Sequence, residues 1–441
     1  MISQSLPNAS ELATSQAANS PNSPRILQLA YTCIPNRGSE PGTGWNHAVE
    51  AAKHFETWVI VGEEESNQGI HTYLEKNGPI PRLHFEYVPE TWLERSLAKI
   101  PGIQYLAYSL WNRRAAKVAR QLHEVHQFEL LHQVTLTGFR EPGYLWTLDA
   151  PFVWGPIGGA QNYPWRFLSK AGPIAASFET ARSIANELQL RFSPRVRRAA
   201  RRAALLLAGT TTNQRAFARH HRVTPVLLPD TGVRKLSVPE TRPRQDDTLR
   251  ILWCGMLSPR KALHLLLEAL AQVPSGTSWE LHVVGFGPYR RKWQRLAHSL
   301  GIADRIHWLG WISHDDALAQ FSWADVFVFS SLRDTTGTVL LESLAAGVPV
   351  ICLDHQGAAD VIDRSCGRKI AVTNPRQVIH DLADNIQLFA QDRDLRDSLS
   401  HGAVQRADYY LWGNQGRRLA GLYRQVIAES RAKGEAVRKA P

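Results

Sequence analysis

The segment RDTTGTVLLESLAAGVPVI, residues 333–351, carries two carboxylates eight positions apart, Asp334 and Glu342. Asp334 falls in a polar turn and Glu342 inside an apolar helical stretch, where a core-packing helix does not ordinarily spend a charge. The pattern predicts a helix from about Thr338 to Ala346, ended by Gly347 in a left-handed conformation, with Pro349 preventing continuation. Free amides at the start of that helix, at Thr338 and Val339, form an anion site favoured by the helix dipole. Gly337 lets a phosphate come close to the backbone. Glu342, about one turn in, is placed to accept hydrogen bonds from a ribose diol, and Asp334 to meet the group beyond the phosphates. This chemistry suits a nucleotide diphosphate with a sugar attached.

Other segments offer matching chemistry. In WCGMLSPRKALHLLLEAL, Arg260 and Lys261 stand at a predicted helix start, where the dipole disfavours cations unless an anion binds beside them. In RGSEPGTGWNHAVEAA, Gly42, Thr43 and Gly44 make a phosphate-friendly first turn, a feature many nucleotide folds share. In FELLHQVTLTG, His132 is expected to end a strand at a cleft. WGPIGGAQNYPW ends another strand at Gly158 and Gly159, read as acceptor-side cleft lining. VVGFGP (Gly285, Gly287) and LGWIS (Trp311, Ile312) are expected near the nucleotide and its base, although packing alone accounts equally well for both. Asp315 and Asp316 read as a helix start, so no metal site is predicted.

These residues must be positioned by an α/β scaffold. Short apolar strands alternate with helical patterns from Arg25 to about Ala407, which predicts parallel sheets. A second series begins near Leu249, after a joint rich in Pro, Thr and charge. The expected division is a disordered lead at 1–24, a Rossmann-like acceptor-side domain at 25–230, a Rossmann-like nucleotide-sugar domain at 231–407, and a crossover helix and tail at 408–441. Two doubly wound sheets facing across a cleft put one ligand on each side, outside the carboxyl ends of the strands.

Composition narrows the class. At 441 residues and 44 % apolar, the chain has material for two or three cores. No uninterrupted apolar run approaches the ~18 residues of a membrane span. The first residues lack the basic and apolar regions of a secretory signal. Cys33, Cys254, Cys352 and Cys366 match no metal spacing and are expected to be reduced, mostly buried thiols of a cytoplasmic protein. The net charge of +11 favours an anionic partner. Basic residues gather in RFSPRVRRAARRAALLLAG (Arg191, Arg195, Arg197, Arg198, Arg201, Arg202) and YSLWNRRAAKVAR (Trp111, Arg113, Arg114, Lys117, Arg120). Both are read as helices, either solvated or docking on anionic lipid headgroups. No nucleic-acid signature accompanies them.

The pattern of Asp334 and Glu342, with Gly337 between and AAGVPV after, resembles the donor motif of retaining GT-B-fold glycosyltransferases of family 4, the glycosyl transferases group 1. There the motif is usually Glu-x7-Glu. The resemblance runs from about Arg25 to Tyr423. It implies that Lys261 contacts the donor diphosphate. Arg260 would supply the cation that the family takes from an Arg where Met256 stands here, and Ala262 replaces the family's Gly. The resemblance also lays the Gly42–Gly44 loop over the diphosphate, with Glu40 and Asn46 as acceptor contacts. It sets His132 near the reacting sugar, with Val134 in place of the second His of a His-x-His pair. Asp334 would contact the sugar with ~1.5 Å less reach than Glu. The implied reaction is a front-face, diphosphate-assisted transfer from a UDP- or GDP-sugar without a required metal or cofactor.

The resulting expectation is a cytoplasmic glycosyltransferase, peripheral on the inner face of the membrane. It would act on a saccharide or polyprenyl-linked acceptor in surface polysaccharide synthesis, with the C-terminal helix returning to the first domain. The competing readings are a nucleotide-sugar epimerase of the same architecture, a non-catalytic nucleotide-sugar-binding protein permitted by Met256 and Asp334, and a membrane scaffold.

Overall fold

The computed structural model describes residues 23–100, 103–236 and 247–439. Most of the expected lead, ten residues of the joint (237–246) and the last two of the tail lie outside the described residues.

The first sheet contains β1 (Arg25–Ala30), β2 (Glu56–Val61), β3 (Leu83–Tyr87), β4 (Leu130–Thr135), β5 (Phe152–Ile157), β6 (Leu205–Ala208) and β7 (Val226–Leu227). The strands are parallel, in the order β3-β2-β1-β4-β5-β6-β7. β4 and β5 are buried at every position, as central strands covered on both faces must be. The covering helices are α1 (Ser39–Ala52), α2 (Glu64–Asn77), α3 (Trp92–Ala98), α4 (Gln104–His126), α5 (Pro173–Phe192), α6 (Pro194–Arg202) and α7 (Thr211–His221). Local signals start several of them. Thr91 and Glu94 form a reciprocal capping box on α3, and Ser193 caps α6 with Pro194 in the first turn.

The second sheet contains β8 (Leu249–Cys254), β9 (Trp279–Val284), β10 (Ile306–Gly310), β11 (Val326–Phe329), β12 (Val350–Leu353) and β13 (Gly367–Ile370). Its order, β10-β9-β8-β11-β12-β13, is that of a doubly wound nucleotide-binding sheet. Its helices are α8 (Leu263–Leu270), α9 (Arg290–Ser299), α10 (His314–Trp323), α11 (Thr338–Ala345), α12 (Gln356–Val361), α13 (Pro375–Gln391) and α14 (Arg393–Asp408). α11 ends as its sequence predicts. Gly347 takes φ +69°, and Val348 N–H reaches back to the Ser343 carbonyl at 2.9 Å.

Two segments tie the halves together. The final helix α15 (Trp412–Lys439) returns to the first sheet, packing Leu419, Tyr423 and Val426 among Ile26, Phe55 and Leu130. In the other direction, Tyr163, Phe167 and Ala171, which follow β5, pack into the core of the second sheet's domain.

Several expectations about elements change. The helix expected from Lys261 breaks at Ala262, which adopts φ +52°, so Arg260 and Lys261 sit in a single tight turn before α8. The basic run after Arg191 is not one helix. It is the end of α5, a break at Ser193, α6, and then β6, whose apolar residues enter the sheet. In α4, Trp111 is fully buried against Tyr31 and Tyr108 and offers nothing to a docking surface. Arg114 is bound to the buried Glu94 and Arg195 to the buried Glu141, so both are committed inside the protein. Among the described residues no helix is long and apolar enough to cross a membrane. All four cysteines are free; Cys254 is partly exposed and the others are buried.

Candidate functional site

The carboxyl ends of the two sheets face each other across a cleft. A cavity of about 330 Å³ lies there, lined by Glu40 and Thr43 of α1, Thr137 after β4, Arg260, Lys261 and the Asp334–Val339 turn. A second, of about 650 Å³, adjoins it at Thr338 and is lined by Glu342, His314, Asn46 and the Asn36–Gly38 turn. Lys261 is 73 residues from Asp334 and 81 from Glu342 in the chain, and the pairing of β8 with β11 brings them together.

The turn after β11 is fixed by its neighbours. Asp334 is ion-paired with Lys261, accepts from Ser331 Oγ at 3.3 Å, and lies 3.9 Å from Arg260. Burial pushes its carboxyl up, but the Lys261 and Arg260 charges outweigh that and hold it below the usual range. Its backbone N–H donates to Gln356 Oε1 at 2.8 Å. Arg333 reaches the other way, making two 2.8 Å bonds to the buried Glu179 of α5. Gly337 takes φ +81°, as a glycine turn into α11 requires. Thr338 and Val339, the first residues of α11, line the cavity.

Glu342 lies on the cleft side of α11, with its side chain 15 % exposed and 4.0 Å from His314 Nε2. Burial raises its pKa, against the opposing His314. Glu40 accepts from the Thr137 backbone and from Thr137 Oγ1 at 3.0 Å; burial raises its pKa against those bonds. Asn46 lines the larger cavity and donates to the Gly42 carbonyl at 2.7 Å.

The glycines of α1 have a different role from the one expected. The helix begins at Ser39, so Gly42 and Gly44 are inside it. A Cβ would stand 2.0 Å from the Arg37 carbonyl at Gly42 and 2.1 Å from the Thr32 carbonyl at Gly44. They admit chain, not phosphate. Gly285 and Gly287 likewise allow close approach of the Gly255 and Leu257 backbones and line neither cavity. Gly158 sits against Thr137 and Thr335, at the cavity rim, while the Gly159 carbonyl is taken by Asn186. Trp311 is exposed, edge-on to the exposed Phe286 at 5.4 Å, and Ile312 packs beneath at the core margin.

His132 is not in the cleft. β4 continues three residues beyond it, so it is mid-strand and wholly buried. One ring nitrogen meets Tyr423 Oη of α15, and Nε2 donates to the Gly155 carbonyl at 2.6 Å. Burial, with His47 nearby, depresses its pKa to about 3. It is a neutral structural group beneath the returning helix.

Sequence reasoning missed Asp230. It lies in the connection after β7, accepts from Thr336 Oγ1 through its carboxylate, and holds Thr43 Oγ1 on its carbonyl at 2.5 Å. Burial pushes its pKa up to about 6; the Thr336 bond opposes this, and the Glu40 and Asp334 carboxylates add to it. Gln356 was also missed. It joins the Asp334 amide to the Asn162 carbonyl across the cleft, the latter at 2.7 Å. Neither stands in a recognisable motif; only the fold brings them in.

Two parallel doubly wound domains across a cleft, with a final helix returned to the first, define the GT-B architecture. Residues 238–406, most of the second domain, match the family described as glycosyl transferases group 1. Curated relatives include the alpha-D-kanosaminyltransferase of Streptomyces kanamyceticus, 26 % identical over 199 residues, 45 % of this chain and 50 % of that protein. Another is the GDP-mannose-dependent alpha-(1-6)-phosphatidylinositol monomannoside mannosyltransferase of Mycobacterium tuberculosis, 28 % identical over 185 residues, 40 % and 47 % of the two chains. The chain thus spans about half the length of these relatives. Among solved structures, Anabaena Alr3699/HepE in complex with UDP and glucose aligns over 91 % of this chain and 99 % of its own, with TM-score 0.59 and 17 % identity. Sucrose-phosphate synthase from Thermosynechococcus elongatus aligns over 92 % and 100 %, with TM-score 0.61 and 17 % identity. These likenesses are of fold.

Proposed function

We propose that the protein is a retaining glycosyltransferase that moves a sugar from a nucleotide diphosphate to an acceptor hydroxyl in polysaccharide or glycolipid synthesis. The observation that carries this reading is the meeting of Lys261, Arg260 and Asp334 at the start of α11, with Glu342 one turn further in. The α11 amides and the two cations take the diphosphate. Lys261 has three donors, so binding Asp334 leaves others for phosphate. Glu342 accepts from the ribose in the larger cavity, and Asp334 accepts from a sugar hydroxyl in the smaller one. As the bond from the sugar's anomeric carbon to the diphosphate breaks, charge grows on the leaving oxygen, and Lys261 and Arg260 stabilise it. The acceptor oxygen bonds to that carbon on the same face, and its proton passes to the departing diphosphate. Glu40, beside Thr137 on the opposite wall, is the acceptor-side contact. The UDP bound by the Anabaena fold neighbour makes UDP the first base to try, with GDP second after the mycobacterial relative's donor.

The acceptor reading rests on α5. Glu179, Asn186 and Leu190 face inward, while Ile174, Phe178, Ile184, Leu188 and Phe192 are exposed. An apolar outer face beside Arg191, Arg197 and Arg198 fits an anionic membrane surface and a lipid-linked acceptor.

Calorimetric titration of UDP and GDP into the protein and into Glu342→Ala tests the donor site. Saturable binding of one nucleotide, lost in the variant, is expected; binding of neither, or no effect of the variant, would sink the reading. Co-sedimentation with anionic vesicles, lost in Phe178→Ser/Leu188→Ser, is expected for the acceptor side. Equal pelleting by both proteins would remove the membrane.

A further inference from the structure

The second domain carries another side-chain cluster, outside the cleft. Glu280 and His282 alternate on β9 and therefore point to the same face. His307 on β10 is the direct register partner of His282. Glu280 Oε1 lies 3.4 Å from His282 Nε2 and 2.8 Å from His307 Nε2, and one ligand atom from each residue falls within 4.8 Å of the others. None of the three lines either cleft cavity.

Two further contacts orient the cluster. Gln320 Oε1 of α10 is 2.8 Å from His282 Nδ1. An amide oxygen can only accept, so Nδ1 carries a proton, and in the neutral ring the lone pair is on Nε2, which faces Glu280. The imidazole is also stacked flat on Trp323, with ring centroids 3.5 Å apart and planes 6° from parallel, which fixes the ring in its plane.

The geometry points to a binding site for a zinc-class divalent transition ion, held by Glu280 Oε1, His282 Nε2 and His307 Nε2, with solvent completing the shell. Two imidazoles and one carboxylate suit a borderline cation rather than calcium or magnesium, which take oxygen ligands. Ligands about 2.0–2.2 Å from a zinc ion stand roughly 3–3.5 Å apart, and the spacings here need only a small side-chain adjustment. The ion would join β10, the edge strand of the sheet, to β9 and through Gln320 to α10.

The test is calorimetric titration of zinc chloride into the untagged full chain, beside Glu280→Gln and His307→Gln. Both substituted side chains are partly or largely exposed, so the fold is expected to survive, and far-UV circular dichroism checks this. The expected result is one ion per chain at micromolar affinity or tighter, weakened at least tenfold in each variant. The thermal midpoint should rise with zinc in the parent only. Cupric ion should quench the fluorescence of the stacked Trp323 in the parent and much less in Trp323→Phe. Absence of binding at 100-fold excess zinc over a protein concentration of about 10 μM would overturn the proposal. So would equal binding by parent and both folded variants, because the ion would then sit elsewhere.

Discussion

Lys261 and Asp334 lower each other's cost of burial. Each is a charge largely withdrawn from water, and each is tolerable because the other is present. Lys261→Ala should therefore do two kinds of damage. It removes the stabiliser of the leaving diphosphate, for a rate loss of about 10²–10³, and it strands Asp334 at a stability cost of about 1–3 kcal/mol. Lys261→Met/Asp334→Asn should recover much of the thermal midpoint and none of the turnover; recovered turnover would show that the pair is structural only. Asp230 gives a pH signature. Its folded pKa, about 6, exceeds the unfolded value, so its favourable contribution is complete below about pH 4 and lost as pH rises through 6. Asp230→Asn keeps an oxygen for Thr336 and removes the charge. It should raise stability at pH 8, by at most about 3 kcal/mol, and leave it unchanged near pH 4. Denaturant melts at both pH values check this, and equal gains at both would contradict it. The motif residues were legible because their chemistry is local: a glycine, two acids and a helix start within one segment. Asp230 and Gln356 were not, because their importance comes from which strands are neighbours.

The turn Thr335–Gly337 owes its shape to elements packed behind it. Gly357 in α12 approaches so closely that a Cβ there would stand 1.7 Å from the Thr335 carbonyl. Gly357→Ala must push the turn toward the cavity. The expected result is a stability loss of about 1–3 kcal/mol together with weakened nucleotide binding. Gly276→Ala, where a Cβ would meet nothing within 4 Å, is the matched control. Undiminished nucleotide affinity in Gly357→Ala would mean that the turn is not what holds the phosphates. The sequence patterns for α11 and its Gly347 stop were readable since period, cap and breaker agree. The glycines of α1 were misread for a related reason. Gly-x-Gly after a strand looks alike whether the approaching group is a phosphate or the protein's own carbonyl, and only the 2.0 and 2.1 Å distances distinguish them. The basic run after Arg191 misled because Arg and Ala favour a helix locally, while the following Leu-rich residues are claimed by β6, paired between β5 and β7.

Domain arrangement depends on α15, and α15 depends on a buried polar contact that the sequence presented as catalytic. His132 links β4, the β5 carbonyl of Gly155 and Tyr423 of the returning helix, with His47 of α1 beside it. Both imidazoles are buried and neutral, with pKa values depressed to about 3 for His132 and about 4 for His47. A histidine whose folded pKa lies below its unfolded 6.5 binds fewer protons folded than unfolded. Stability is therefore complete above 6.5 and falls as pH drops toward the folded value, by about 1.4 kcal/mol per pH unit for each ring at the steepest. The protein should lose stability between pH 6.5 and 4 with a slope that His132→Asn makes shallower, even though that variant starts less stable at pH 7. Tyr423→Phe should be less stable at pH 7 by about 1–2 kcal/mol, since it leaves a buried ring nitrogen without a partner. Its pH slope should stay close to that of the parent. Urea melts across this range, read by tryptophan fluorescence, separate the effects. If His132→Asn leaves the acid slope as steep as in the parent, the neutral imidazole under α15 is not what makes the arrangement acid-sensitive, and another ionisable group must carry it instead.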